Sequence, residues 1–141
     1  MKPKLLTLLI LVLCLGCGKN VPLRGKVLDE EGNPITVGMV NFVSDKGLSR
    51  GQIQSDGSYV VGTLQERDGL PPGTYKVYVS GAITYVPSKA PPRLDPMGQL
   101  IPHPPDVVPL IAAKYTTESD TPLTCEVPVK GNKYDVIVEK P

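Results

Sequence analysis

The chain has 141 residues, of which 16 are Pro and 14 Gly, with no Trp, one Phe and one His. That density of helix breakers excludes a mostly helical fold, because Pro costs about 3 kcal/mol inside a helix. One His excludes a multi-His metal site, and 15 basic against 14 acidic residues leave neither a nucleic-acid footprint nor an acidic disordered tail.

Lys2 and Lys4 precede an apolar run from Leu5 to Leu15 that only Thr7 interrupts. The run is too short for a bilayer span, which needs about 20 apolar residues. It fits the hydrophobic region of an export signal. The run leads into Cys14-Leu15-Gly16-Cys17. This resembles the lipobox of bacterial lipoproteins, in which a small residue precedes a Cys that is lipidated and becomes the new N-terminus. Cys14 stands where that family usually has Leu, and bulky Leu13 disfavours Cys14 as the modified residue. The resemblance implies a cleaved signal peptide over 1–16, lipidation of Cys17, a tether over 17–22 and a membrane partner held through the lipid. Lys19, two positions after Cys17, is not the Asp that retains such proteins at the inner membrane, so the outer membrane is expected. Plain secretion is the alternative. Removing 1–16 takes Cys14 away and leaves Cys125 without an intrachain disulfide partner.

The remainder, 23–140, reads as one β domain. Leu23–Leu28 alternates apolar and polar residues, and Asp29–Pro34 supplies turn chemistry. Gly38–Val43 is a second strand with Val40 and Phe42 on one face, and Leu48–Gln54 is a third with Ile53 inward. Asp56-Gly57 is a hairpin signal, with Ser58–Thr63 as the returning strand. After the rigid turn Asp68–Gly73, Thr74–Ser80 places Tyr75, Val77 and Val79 on one face. Leu123, Cys125, Val127 and Val129 alternate in a sixth strand. Lys130–Lys133 turns the chain, and Tyr134, Val136 and Val138 alternate in a seventh. The expectation is an all-β, seven-stranded antiparallel β-sandwich behind a cleaved signal peptide, with helix limited to a single turn around Val108–Lys114.

Residues 82–109 hold eight of the prolines and form an insertion in this pattern, expected as polyproline II segments with local turns.

The series Leu23–Val27, Gly32–Ile35, Gly38–Phe42, Asp56–Tyr59 and Pro71–Val79 resembles the carboxypeptidase regulatory-like domain, also called transthyretin-like or prealbumin-like. Small bacterial lipoproteins carry one such domain, and Lys114-Tyr115 and Thr121-Pro122-Leu123 match segments that precede its last strands. The resemblance implies a sandwich of transthyretin-like or Ig-like kind. It does not carry peptidase activity over, because the chain lacks His-x-x-Glu and His-Glu-x-x-His. A related purine-pathway hydrolase uses several His and a C-terminal Tyr-Arg-Gly-Ser, whereas this chain ends Val138-Glu139-Lys140-Pro141.

Candidate chemical groups are few. His103 lacks the partners a zinc site needs and reads as an exposed loop residue. Cys125 alternates with Leu123 and Val127 and reads as core rather than nucleophile. Asp29, Glu30 and Glu31 read as solvated turn acids, since the spacing of a calcium loop is missing. No catalytic residue, metal site or cofactor is expected.

The sequence therefore points to a non-catalytic, lipid-anchored cell-envelope protein with a structural, adhesive or binding role. Its partner would be an envelope protein or a glycan and not a nucleic acid. A carbohydrate-binding module is the alternative, weakened by the absence of Trp and with Tyr78 and Tyr85 as the only exposed platforms. An envelope hydrolase is disfavoured. Loops on rigid scaffolds gather binding residues. The candidate binding loop is thus the Pro-rich insertion, at Tyr85, Arg93, Leu100, Ile101 and His103.

Overall fold

The computed structural model describes residues 19–141. The apolar run and Cys17 lie outside the described residues. Eleven strands are present among the described residues. They are β1 (Arg24–Asp29), β2 (Met39–Ser44), β3 (Gly47–Gln52), β4 (Ser58–Val60), β5 (Gly73–Ser80), β6 (Ile83–Val86), β7 (Arg93–Leu94), β8 (Leu100–Ile101), β9 (Asp106–Pro109), β10 (Thr124–Val127) and β11 (Val136–Val138). The period-two segments become β1–β5, β10 and β11, and the other four strands all fall in 82–109. The expected count of seven is corrected to this extent.

Two sheets face each other. One has the order β11-β1-β4 and the other β10-β5-β2-β3. Alternation explains which side each strand buries. Val27, Tyr59, Val136 and Val138 come from the first sheet. Val40, Phe42, Tyr75, Val77, Val79, Cys125 and Val127 come from the second, and all are buried. Phe42 bridges the sheets, with ring centroids 6.1 Å from Tyr59 and 6.3 Å from Tyr75. Burying such apolar side chains contributes about 1.5–3 kcal/mol each, which makes this layer the main source of stability.

Two pairings differ from expectation. β1 and β11 run parallel, Val27 opposite Val136, so the sandwich is not purely antiparallel. A hairpin at Lys130–Lys133 would have kept β11 beside β10. The chain instead crosses through a 3-10 turn at Lys130–Asn132, with Gly131 and Asn132 at positive φ, and covers the free edge of β1. Asp56-Gly57 does form a tight turn, with Gly57 N–H donating to Gln54 O and Asp56 accepting from Ser58. Its flanking strands do not stay paired as a hairpin. β4 joins β1 in the first sheet, and the segment after the turn is linked back to β3 by the Arg50–Gly62 bridge and the Ser49–Thr63 hydroxyl pair. Gly57 is required here: its φ is +80°, and a Cβ would lie 2.7 Å from Pro34 Cβ.

Asp29 is buried, not a solvated turn acid. It closes β1, and its carboxylate accepts from Glu31 N–H at 2.9 Å, Asn33 N–H at 2.8 Å and Asn33 Nδ2 at 3.0 Å. These donors, with Lys140 at 3.4 Å, hold its pKa down at about 2. The other buried polar side chains are also bonded. Thr121 donates to Val77 O at 2.5 Å, Ser49 pairs with Thr63 at 2.7 Å, and Asn41 donates to Ser80 Oγ at 2.9 Å.

The two ends of β5 give the sandwich a direction. Val21 exchanges backbone hydrogen bonds with Leu70, just before β5 begins, so the described chain starts at that pole. The insertion leaves from the other end of β5, after Ser80. Eight residues of strand separate the two points by about 23 Å.

Candidate functional site: the arm from Ala82 to Pro109

The insertion is a jointed β arm rather than polyproline II with turns. Its prolines explain both the joints and the ladders. Pro87, Pro91, Pro92, Pro102, Pro104 and Pro105 all fall between strands, where a missing N–H breaks no ladder. Pro96 sits in the tip turn, and Pro109 closes β9. The intervening Ile83-Thr84-Tyr85-Val86 and Val107-Val108 are strong strand formers.

At the base, Leu110 N–H donates to Ala82 O at 2.9 Å. β6 and β9 then pair antiparallel, with Thr84 opposite Val108, Tyr85 opposite Val107 and Val86 opposite Asp106. Further out β7 pairs β8, Arg93 opposite Ile101 and Leu94 opposite Leu100. The tip is a four-residue turn organised by Asp95. Its carboxylate accepts from Met97 N–H at 2.9 Å and Gln99 N–H at 2.7 Å, and Gly98 takes a φ of +78°. This is local Asx-turn chemistry and makes the tip a defined structure.

Exposure is the arm's distinctive property. Opposed residues share a face, so Tyr85 and Val107 lie together on one side, 63% and 56% exposed. Leu94 and Leu100 do the same near the tip, at 66% and 68%. Val86, Met97, Ile101 and Val108 are exposed as well. Exposed apolar side chains gathered on one excursion mark a candidate interaction surface. Lys89, Arg93, Asp95 and Asp106 make the arm electrically neutral.

The arm brings together Tyr85, Arg93, Leu100, Ile101 and His103 on one structural unit. His103 differs from the expected exposed loop residue. It is half-buried, and its Nε2 lies 2.6 Å from Pro91 O. A carbonyl only accepts, so the ring nitrogen donates, and the imidazole braces the two limbs of the arm. Sequence reasoning passed over Val86, Leu94, Met97, Val107 and Val108. The apolar doublets Leu100-Ile101 and Val107-Val108 between prolines were the available signal. Tyr78 is half-buried on the outer face of the second sheet, opposite Asn41.

Cys125 sits apart in the core, 3% exposed, and burial pushes its thiol up to about 11. Among the described residues no group of three His, Cys, Asp or Glu is placed to hold a metal ion, and no helix is long and apolar enough to cross a membrane.

The fold is that of an all-β, two-sheet sandwich. No family model matches the chain, and neither does a curated protein. Among solved structures it is similar to the major pilin subunit of Bacillus cereus, at 11% identity and a TM-score of 0.42, over 86% of this chain and 30% of that one. The chain thus spans less than a third of the pilin's length, and so distant a likeness assigns neither family nor function.

Proposed function

We propose that this protein is a non-catalytic, lipid-anchored cell-envelope protein of the outer membrane, built on a sandwich of the carboxypeptidase regulatory-like kind. It presents the Ala82–Pro109 arm to a protein partner, in a structural or adhesive role. The observation that carries this reading is the arm's exposed apolar surface on a closed sandwich. An isolated two-stranded ribbon is marginal in water, so contact with a partner would stabilise the arm as well as hold the partner.

The direction of the molecule supports the same reading. From Cys17 to Val21 is four peptide units, about 14 Å at full stretch. A lipid on Cys17 would hold the Val21–Leu70 pole close to the bilayer, and the arm leaves from the opposite end of β5. The apolar surface would then be offered outward, away from the anchoring membrane. The buried Cys125 and the His103 committed to Pro91 O favour binding over hydrolysis, since neither is set up as half of a nucleophile–base pair.

Two measurements test it. Mass spectrometry of the mature protein should find diacyl or triacyl modification on an N-terminal Cys17, and an unmodified N-terminus would overturn the anchor. Replacing 88–106 with a short Gly/Ser linker should leave a folded, anchored protein that no longer co-purifies with its envelope partner. Retention of every partner would overturn the role of the arm.

A further inference from the structure

We propose that the corner of the sandwich where β1 begins is a second membrane contact, which seats Lys19, Arg24, Lys26, Lys130 and Lys133 on anionic phospholipid headgroups. The inference rests on the reading of the chain as lipid-anchored through Cys17.

The near balance of 15 basic and 14 acidic residues hides their segregation by position. The crossing that lays β11 beside β1 carries residues 130–133 to the place where the chain enters the sandwich. Tyr134 N–H donates to Arg24 O at 2.9 Å, and Arg24 and Lys133 form a parallel bridge. One shallow depression gathers Pro22, Leu23, Arg24 and Val60 with Gly131 and Asn132. A second shares Arg24 and Val60 with it and is lined also by Lys26, Ser58 and Lys133. All five basic residues are exposed. The acid among them is Asp135, which takes Lys133 at 2.9 Å. Arg24, Lys26 and Lys130 have no ion pair among the described residues.

The far end of β1 has the opposite sign. Asp29 closes the strand, Glu30 and Glu31 follow it, Asp56 lies in the turn before β4, and Glu139 follows β11. Lys114 and Lys140 stand there too, but Lys114 is paired with Glu139, and Lys140 with Asp29 and Glu31. The rise of the strand puts about 17 Å between Arg24 and Asp29. That exceeds the screening length of about 10 Å at 0.1 M salt, so a surface against one end feels little of the other.

Chain length selects the membrane as the occupant. Four peptide units join Cys17 to Val21, about 14 Å at full stretch, and Lys19 lies between them. A lipid on Cys17 would leave a gap narrower than a folded domain between this end and the headgroups. Charge agrees, because basic clusters beside an anchor are drawn to anionic lipid, by roughly fivefold in affinity for each Lys or Arg at the surface. The same field repels the acidic end. The sandwich is then held upright with the Ala82–Pro109 arm outward, where a tether alone would let it tumble.

The test uses the lipidated full chain on vesicles of phosphatidylcholine, alone or with about one-third phosphatidylglycerol. Lysines are acetylated with a water-soluble reagent, and the rates are read by mass spectrometry. Relative to Lys140, Lys130 and Lys133 should react roughly tenfold more slowly on the anionic vesicles than on the neutral ones, and high salt should abolish the difference. Arg24→Gln, Lys130→Gln and Lys133→Gln together should remove the protection of Lys26, with the β circular dichroism unchanged. Equal protection on both vesicles, or at Lys130 and Lys140 alike, overturns the proposal. Protection by dissolved alginate but not by anionic vesicles would assign the corner to an acidic glycan and overturn it as well. Flotation separates this contact from the anchor. A chain that floats with neutral vesicles but shows no charge-dependent protection keeps the anchor and loses the contact. One that floats only with anionic vesicles loses the anchor and keeps the contact, and one that floats with neither loses both.

Discussion

The hydroxyl of Tyr59 donates to the backbone carbonyl of Tyr134, tying β4 to the segment that leads into β11 across the intervening β1. The bond passes over Gly25. A Cβ there would lie 1.8 Å from Tyr134 O and 3.0 Å from the Tyr59 hydroxyl. Burial raises the Tyr59 phenol far above its ordinary pKa, so it remains a donor throughout the stable range. Tyr59→Phe should lower unfolding stability by about 1–2 kcal/mol, because the Tyr134 carbonyl keeps its desolvation cost and loses its donor. Gly25→Ala should cost more, because backbone must move. Urea denaturation reads both, and an unchanged midpoint for Gly25→Ala would refute the close approach.

Val77→Asp should abolish folding. Val77 is fully buried at the centre of β5, opposite Phe42. An unpaired buried charge costs several kcal/mol, comparable to a whole domain's stability of about 5–15 kcal/mol. A soluble variant with native circular dichroism would show that this face is not core.

Cys125 should react slowly with a thiol reagent in the native protein and fast in denaturant. Its thiolate is disfavoured by burial, with the pKa at about 11, and its sulfur is covered. Rapid native labelling would remove it from the core.

Asp29 should make stability acid-sensitive. Its pKa is about 2 in the fold against 3.8 in a free side chain, chiefly through the Asn33 amide, with the Asn33 and Glu31 backbone N–H groups and Lys140 adding to it. The folded state therefore binds the proton less well. The stabilisation is complete above about pH 4 and is lost as pH falls towards 2. Chemical denaturation across that window should show a weaker slope in Asp29→Asn than in the parent. Equal slopes would assign the acid sensitivity to other carboxylates.

Most of the sandwich was legible because one side of each strand is buried. Tyr75, Val77 and Val79 cannot alternate in sequence without sharing a face. Pairing was less legible, since Leu23–Leu28 and Tyr134–Val138 carry the same alternation whether they run parallel or antiparallel. The Asp56-Gly57 turn was read correctly as a turn. It did not reveal that its two flanks enter different sheets, because that depends on which edges are free. The arm was located by its prolines but misread in conformation. β7 and β8 have two residues each, too few for any period to register. Tyr85 and Ile101 were found as residues, while their opposition to Val107 and Arg93 is a property of register.

The contact between Ala82 and Leu110 at the arm's base makes the sandwich largely indifferent to what lies between them. To the fold, the excursion amounts to a tight connection, and the entropy of closing a loop grows only slowly with its length. The position is in effect a socket. A different ribbon, a longer limb or a foreign epitope could occupy it while β5 and the 3-10 turn at Ala113–Tyr115 stay in place. What the molecule recognises can therefore change independently of what keeps it folded.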